Sequence, residues 1–236
     1  MDAIEPARST AALRELPRYL RRPQLTAPLG IRDGGAWRQL LPLIGLELAV
    51  LLVVILPLAE GWKYLFHLPD PAAFDKLPHG WLVPLTVIAA PIGEEIAFRG
   101  WLTGRVRALW LLGCGLVFGA LLYAGTHGLA PLAEGVLFLV LLLAAPVGWF
   151  VLRKRGTPAW FAAGFPAIFY LVVTGFAVMH VTNYDRPSLL LLPLVLPQAW
   201  IGLMLGYTRM RLGLIRSILM HMTSNGIVLL VGLVAG

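Results

Sequence analysis

Residues 80–100 read GWLVPLTVIAAPIGEEIAFRG. The first half is apolar enough for a membrane-spanning helix, yet the second half carries Glu94, Glu95 and Arg99 close together. An ionisable side chain in hydrocarbon costs at least about 2.5–3.5 kcal/mol on insertion scales. Such side chains persist only when they pair with one another or face a water-filled cavity. The stretch therefore indicates a polar site inside a membrane protein.

The composition of the whole chain agrees with this interpretation. Of 236 residues, 58% are hydrophobic and 13% are charged, and the mean hydropathy is +0.79. A soluble domain carries about 25% charged residues. The net charge of +7 comes from clustered basic residues, which in a membrane protein set the topology. The lipid bilayer is thus the expected partner, and nucleic acid is not.

Several stretches of about 20 apolar residues predict membrane spans. The expected fold is all-α, a polytopic helical bundle with about seven transmembrane helices. Arginine and lysine residues cluster in every second connection between the predicted spans, which predicts a cytoplasmic N-terminus by the positive-inside rule. The expected location is the cell's inner (plasma) membrane. The predicted spans are 40–59, 80–100, 108–126, 132–152, 164–184, 188–207 and 214–235.

Residues 1–39 form a polar, arginine-rich segment ahead of the membrane domain predicted at 40–236. The sequence STAALRELPRYLRRP (9–23) predicts an amphipathic helix that begins at Ser9 or Thr10. Its leucines share one side, which suits a helix lying on an anionic leaflet. A disordered basic tail is the alternative.

Helical spacing organises the ionisable residues of the predicted spans. Glu95 and Arg99 are four residues apart and can pair, whereas Glu94 lies about 100° round the helix and can face a cavity. His221 and Asn225 are also four apart, in HMTSN. A Glu–Arg pair at this spacing is most often structural. Such a pair does not need a second, adjacent carboxylate, so Glu94 is left for another role.

The same spacing occurs in FAVMHVTN, where Phe176 precedes His180 by four residues and Asn183 follows it by three. A carboxylate in an apolar environment suits a general base, and a His–Asn pair suits an oxyanion. The sequence contains no H-E-x-x-H zinc motif and no G-x-S-x-G elbow. No aspartate lies in a predicted span, so glutamate–histidine hydrolysis remains.

Three of these stretches resemble motifs of one family. EEIAFRG (94–100) resembles E-E-x-x-x-R, FAVMH (176–180) resembles F-x-x-x-H, and HMTSN (221–225) resembles H-x-x-x-N. These are the motifs of the CPBP family, the CAAX-prenyl-protease-type intramembrane proteases and bacteriocin-processing enzymes, also called the Abi family. The protease-like core would cover about 80–235.

The resemblance implies roles for the motif residues. Glu94 would activate water with help from His180, and His221 and Asn225 would stabilise the oxyanion. Supporting roles would fall to Glu95, Arg99, Phe176 and Asn183. The resemblance is also compatible with a divalent metal, zinc, held by Glu94, His180 and His221, and with a metal-free glutamate mechanism.

One departure from the family pattern concerns the second motif. The gap from Glu94 to His180 is longer than usual, and YAGTH (123–127) offers His127 at a more usual distance. His180 is preferred because it has the phenylalanine and the following asparagine. The extra length would then be a helical hairpin inserted at about 108–152.

The function implied is an intramembrane endopeptidase. Its substrate would be a membrane-associated or prenylated protein or peptide of the CAAX type. A non-proteolytic scaffold or immunity protein of the same fold is the alternative, and a transporter is a weaker one because the sequence shows no inverted repeat.

Overall fold

The computed structural model describes residues 9–72 and 80–235, so residues 1–8 of the predicted N-terminal segment and 73–79 of the predicted outer connection lie outside the described residues. Every regular element in the described part is helical. The α-helices are α1 Ala11–Arg21, α2 Gly34–Val50, α3 Leu56–Leu65, α4 Ala90–Glu94, α5 Val106–Thr126, α6 Pro131–Val151, α7 Ala159–Met179, α8 Leu196–Leu212 and α9 Leu214–Ala235.

Turns of other helix types interrupt or extend these helices. Wider π-helical turns, which bond residue i to i+5, occupy Leu51–Ile55, Pro84–Ala89 and Glu95–Arg99. Tighter 3₁₀ turns occupy Leu152–Lys154, His180–Asn183 and Leu189–Val195.

Six helical segments in the described part of the chain are long and apolar enough to cross a membrane. The predicted span 80–100 is not one of them. It is helical over 82–99, but Glu94, Glu95 and Arg99 make it too charged. The protein is an integral, multi-pass, all-helical membrane protein. The six segments are Gly34–Leu65, Val106–Thr126, Pro131–Lys154, Ala159–Asn183, Leu189–Leu212 and Leu214–Val234.

The chain divides into two compact units. The first contains residues up to Glu95 and from Phe165 onward, and the second is Ile96–Gly164. In the first unit, α2, α8 and α9 pack on one another. Their shared core contains buried side chains such as Leu40, Leu43, Met204 and Met220.

Helix ends in the first unit follow local sequence signals. The Asp33 side chain accepts the Ala36 N–H at 3.1 Å and caps α2, so this helix begins six residues before the predicted span. Gly213, at φ 101°, ends α8, and its N–H donates to the carbonyl oxygens of Thr208 and Arg209. The short turn returns the chain as α9, which carries His221.

The N-terminal helix α1 forms where the sequence predicted it, but its leucine face packs on protein. Leu16 is buried in the same core as α8, and the buried Tyr207 hydroxyl donates to Ala12 O at 2.7 Å. Glu15 pairs with Arg211 at 3.1 Å. The disordered-tail alternative is therefore wrong for this helix, and its apolar side is not available to a leaflet.

The basic residue Arg216 fixes the segment that follows α1. Its guanidinium donates to the carbonyl oxygens of Gly30, Ile31 and Asp33 at 3.1–3.2 Å and lies 4.3 Å from the Trp37 ring centre. Arg216 is buried, so this arginine supports the fold in addition to any effect on topology.

The second unit contains the antiparallel hairpin of α5 and α6. The Trp110 indole donates to Ala144 O at 3.2 Å and lies against Gly148, where a Cβ would come within 2.2 Å of Nε1. Phe118 and Phe138 pack with ring centres 5.2 Å apart. Neither helix buries a side chain within the protein, so their apolar surfaces need lipid.

Candidate active site

His221 on α9 contacts both adjacent glutamates. Its Nδ1 lies 3.2 Å from Glu95 Oε1, and its Nε2 lies 3.7 Å from Glu94 Oε2. A carboxylate only accepts, so Nδ1–H donates to Glu95 and the Nε2 edge faces Glu94. A carboxylate that accepts a hydrogen bond from one ring nitrogen fixes the tautomer and the orientation of the imidazole. The other ring nitrogen is then positioned to contact the substrate.

The two glutamates have different environments, as their angular separation on the helix predicted. Glu95 is 0% exposed, whereas the Glu94 side chain is 23% exposed. Glu94 lines a cavity of about 730 Å³ in the first unit. One carboxylate is thus committed to orienting His221, and the other is accessible to water and substrate.

His180 and Phe176 lie at the same cavity. The Phe176 ring packs edge-on against both imidazoles, with ring centres 4.9 Å from His180 and 5.8 Å from His221. His180 Nδ1 lies 2.7 Å from Phe176 O, so Nδ1 carries the proton. With its single proton on Nδ1, the imidazole has Nε2 as an acceptor, and Asn183 lines the same cavity.

Asn225, one turn after His221, also lines the cavity. Its Nδ2 donates to the backbone oxygen of Thr86 at 2.9 Å. An amide nitrogen has two N–H donors, so one remains for another acceptor.

Two serines on α9 complete the buried polar face and were missed from the sequence. Ser217 donates to Glu95 Oε2, and its oxygen also lies 3.0 Å from Leu205 O. Ser224 donates to Glu47 Oε2 at 2.7 Å, which gives the buried Glu47 its partner on another helix. The signal was available, because Ser217 and Ser224 lie four residues before and three after His221 on one helix face.

The remaining predicted site residues fall in the second unit. Arg99 is fully buried, and its predicted pairing with Glu95 stays a prediction. His127 ends α5, where its exposed ring stacks on Tyr123 at 3.9 Å. Its Nδ1 lies 2.8 Å from Tyr123 O, a local contact of the kind that a helix-end histidine makes.

Zinc binding by Glu94, His180 and His221 stays a prediction. Among the residues that the structure describes, no group of three or more His, Cys, Asp or Glu side chains is placed to hold a metal ion. The ring nitrogens of His221 face two carboxylates, which suits proton sharing between them. We derive no step through a metal from these residues.

Residues 77–165 match the family model described as type II CAAX prenyl endopeptidase, Rce1-like. The match contains Glu94, Glu95 and Arg99 and confirms the predicted family resemblance over that part of the chain. It ends before the motifs at 176–180 and 221–225 and contains His127. Its range also includes 108–152, and the inserted hairpin stays a prediction. No curated protein and no solved structure matches the chain.

Proposed function

We propose that the protein is an intramembrane endopeptidase that hydrolyses a peptide bond in a membrane-associated or prenylated, CAAX-type substrate. The family match supports this activity at the level of the family. The observation that carries it is the placement of His221 between Glu94 and Glu95 at a cavity shared with His180.

The proposed reaction begins with water held beside Glu94. The Glu94 carboxylate takes a proton from this water, with His180 Nε2 as the second acceptor, and the water oxygen attacks the scissile carbonyl carbon. The C–N bond then breaks, and Glu94 returns the proton to the leaving amine nitrogen. Glutamate is restored, and no other reactant is consumed.

The negative charge that develops on the carbonyl oxygen needs hydrogen-bond donors. His221, anchored by Nδ1–H to Glu95, supplies Nε2–H when the ring is doubly protonated. The second N–H of Asn225 is another available donor. Glu95 orients His221 and does not itself touch the substrate in this mechanism.

The cavity is consistent with an apolar substrate. Besides the polar residues, its wall contains leucine and valine side chains from several helices, including Leu85, Leu194, Val228 and Leu229. A peptide attached to a lipid or a membrane span brings apolar surface to such a site, and polar groups at one end fix its orientation.

The test is cleavage of a farnesylated CAAX peptide by purified protein. We expect the parent to cleave and Glu94→Gln and His180→Ala to lose about 10²- to 10⁴-fold in rate, the range of general acid–base catalysis. His127→Ala is the matched histidine control and should keep the parental rate. Thermal unfolding of each variant separates lost chemistry from lost folding.

Two outcomes would contradict the assignment. A loss in His127→Ala with none in His180→Ala would move the second motif to His127, which lies within the matched residues. A folded parent that cleaves neither this peptide nor co-expressed membrane peptides would contradict the protease itself.

A further inference from the structure

The helix that carries Glu94 and Glu95 does not follow the α-helical hydrogen-bond pattern in the turn before these residues. Pro84–Ala89 is π-helical, and Ala90 N–H donates to Leu85 O, five residues back. Pro91 follows, and proline has no N–H to donate.

This register leaves the Thr86 carbonyl without a donor from its own helix. The α-register donor would be Ala90 N–H, which is bonded to Leu85 O. The π-register donor would be residue 91, which is the proline. A backbone carbonyl that is partly buried needs a hydrogen-bond partner, and leaving it without one costs stability.

Asn225 supplies that partner. Its Nδ2 donates to Thr86 O at 2.9 Å. Gly226, the next residue of α9, packs against the Val87 side chain, because an added Cβ there would lie in van der Waals contact with Cγ1 at 3.5 Å.

The same two helices are joined again at the site. His221 lies one turn before Asn225 on α9, and Glu94 and Glu95 lie about two turns after Thr86. The two helices are therefore connected at two positions along their length. His221 contacts the two glutamates at one position, and Asn225 contacts Thr86 at the other.

We propose that Asn225 is a positioning residue whose amide replaces the backbone donor missing at Pro91 and so holds the glutamate-bearing helix in register against His221. This rests on the proposed function for its effect on catalysis, but its effect on stability stands without it. The catalytic contribution of Asn225 then acts mainly through the placement of Glu94.

A double-mutant cycle tests this directly, because Pro91→Ala gives residue 91 an N–H that can donate to Thr86 O. Parent, Pro91→Ala, Asn225→Ala and the double variant are compared by thermal unfolding and by kcat and KM for the farnesylated peptide. Thr223→Ala, an exposed position on the same helix, is the control for α9.

We expect Asn225→Ala to lower the unfolding temperature and to lower kcat by about 10- to 100-fold, the range for a partly buried carbonyl that loses its hydrogen bond, with KM little changed. In the Pro91→Ala background, most of both losses should disappear. An equal loss of kcat in both backgrounds, with the unfolding temperature unchanged, would overturn the proposal and leave Asn225 only its role as an oxyanion donor.

Two further readouts keep the test decisive. If the parent shows no cleavage, the proposed function fails. The hydrogen bond is still tested, because the loss of unfolding temperature caused by Asn225→Ala can be compared with and without Pro91→Ala. If Pro91→Ala does not fold, Asn225→Leu decides, because leucine has nearly the size of asparagine and no hydrogen-bond donor. We expect it to lower the unfolding temperature as Asn225→Ala does, and a parental unfolding temperature would refute the proposal.

Discussion

Replacing Ser217 with alanine tests whether the buried glutamate controls catalysis through His221. Ser217 and Glu95 are both 0% exposed, and the serine hydroxyl donates to Glu95 Oε2 while His221 bonds the other oxygen. Ser217→Ala leaves one oxygen of a buried carboxylate without this donor, so Glu95 no longer holds the imidazole in one orientation.

The size of the effect follows from the kind of bond. A hydrogen bond to a charged group contributes about 1.5–3 kcal/mol. At about 1.4 kcal/mol per tenfold change, its loss at the transition state lowers kcat by about 10- to 150-fold. The assay is the initial rate of farnesylated-peptide cleavage by purified protein, with thermal unfolding measured in parallel.

Ser224→Ala is the matched control. Ser224 is equally buried on the same helix and donates to Glu47, and it also lies 2.9 Å from Met220 O. Both variants should lose similar stability, but only Ser217→Ala should lose the larger part of its rate. Equal rate losses in the two variants, or a Ser217→Ala rate equal to the parent's, would refute the reasoning.

Three further predictions concern packing, an arginine anchor and metal dependence. Gly206→Ala places a Cβ 2.8 Å from the Phe169 ring and should destabilise the protein by about 1–3 kcal/mol. Gly175→Ala is the control, because an added Cβ there meets open space and should leave stability unchanged. Equal unfolding temperatures for the two variants would contradict this prediction. Arg216→Lys cannot reach all its carbonyl partners and should lower the unfolding temperature, and unchanged stability would show that these bonds contribute nothing. Dialysis against EDTA should leave peptide cleavage unchanged, and a loss restored by Zn²⁺ would contradict the metal-free mechanism.

Local periodicity was enough to predict much of this architecture. Stretches of about 20 apolar residues located six of the seven predicted spans. Helical spacing placed Asn225 one turn after His221 and separated the acid pair into one buried and one cavity-facing carboxylate. Helix α1 starts at Ala11, directly after the predicted first residues Ser9 and Thr10. These features depend on residues close together in the chain.

The features that sequence did not predict depend on distant contacts. The surface that would cover Leu16 could not be read from α1, because the covering residues lie about 190 positions later on α8. The partners of Ser217 and Ser224 also lie on other helices. The change of register at Pro84–Ala89 could not be predicted from residue spacing, because that spacing presumes a uniform α-helix.

The most direct test separates binding from chemistry at Glu94. We predict that Glu94→Gln binds the farnesylated peptide with an affinity close to the parent's, because the amide keeps the size of the side chain, and that its single-turnover cleavage falls by about 10²-fold or more. Cleavage by Glu94→Gln at the parental single-turnover rate would contradict the claim that this carboxylate activates water.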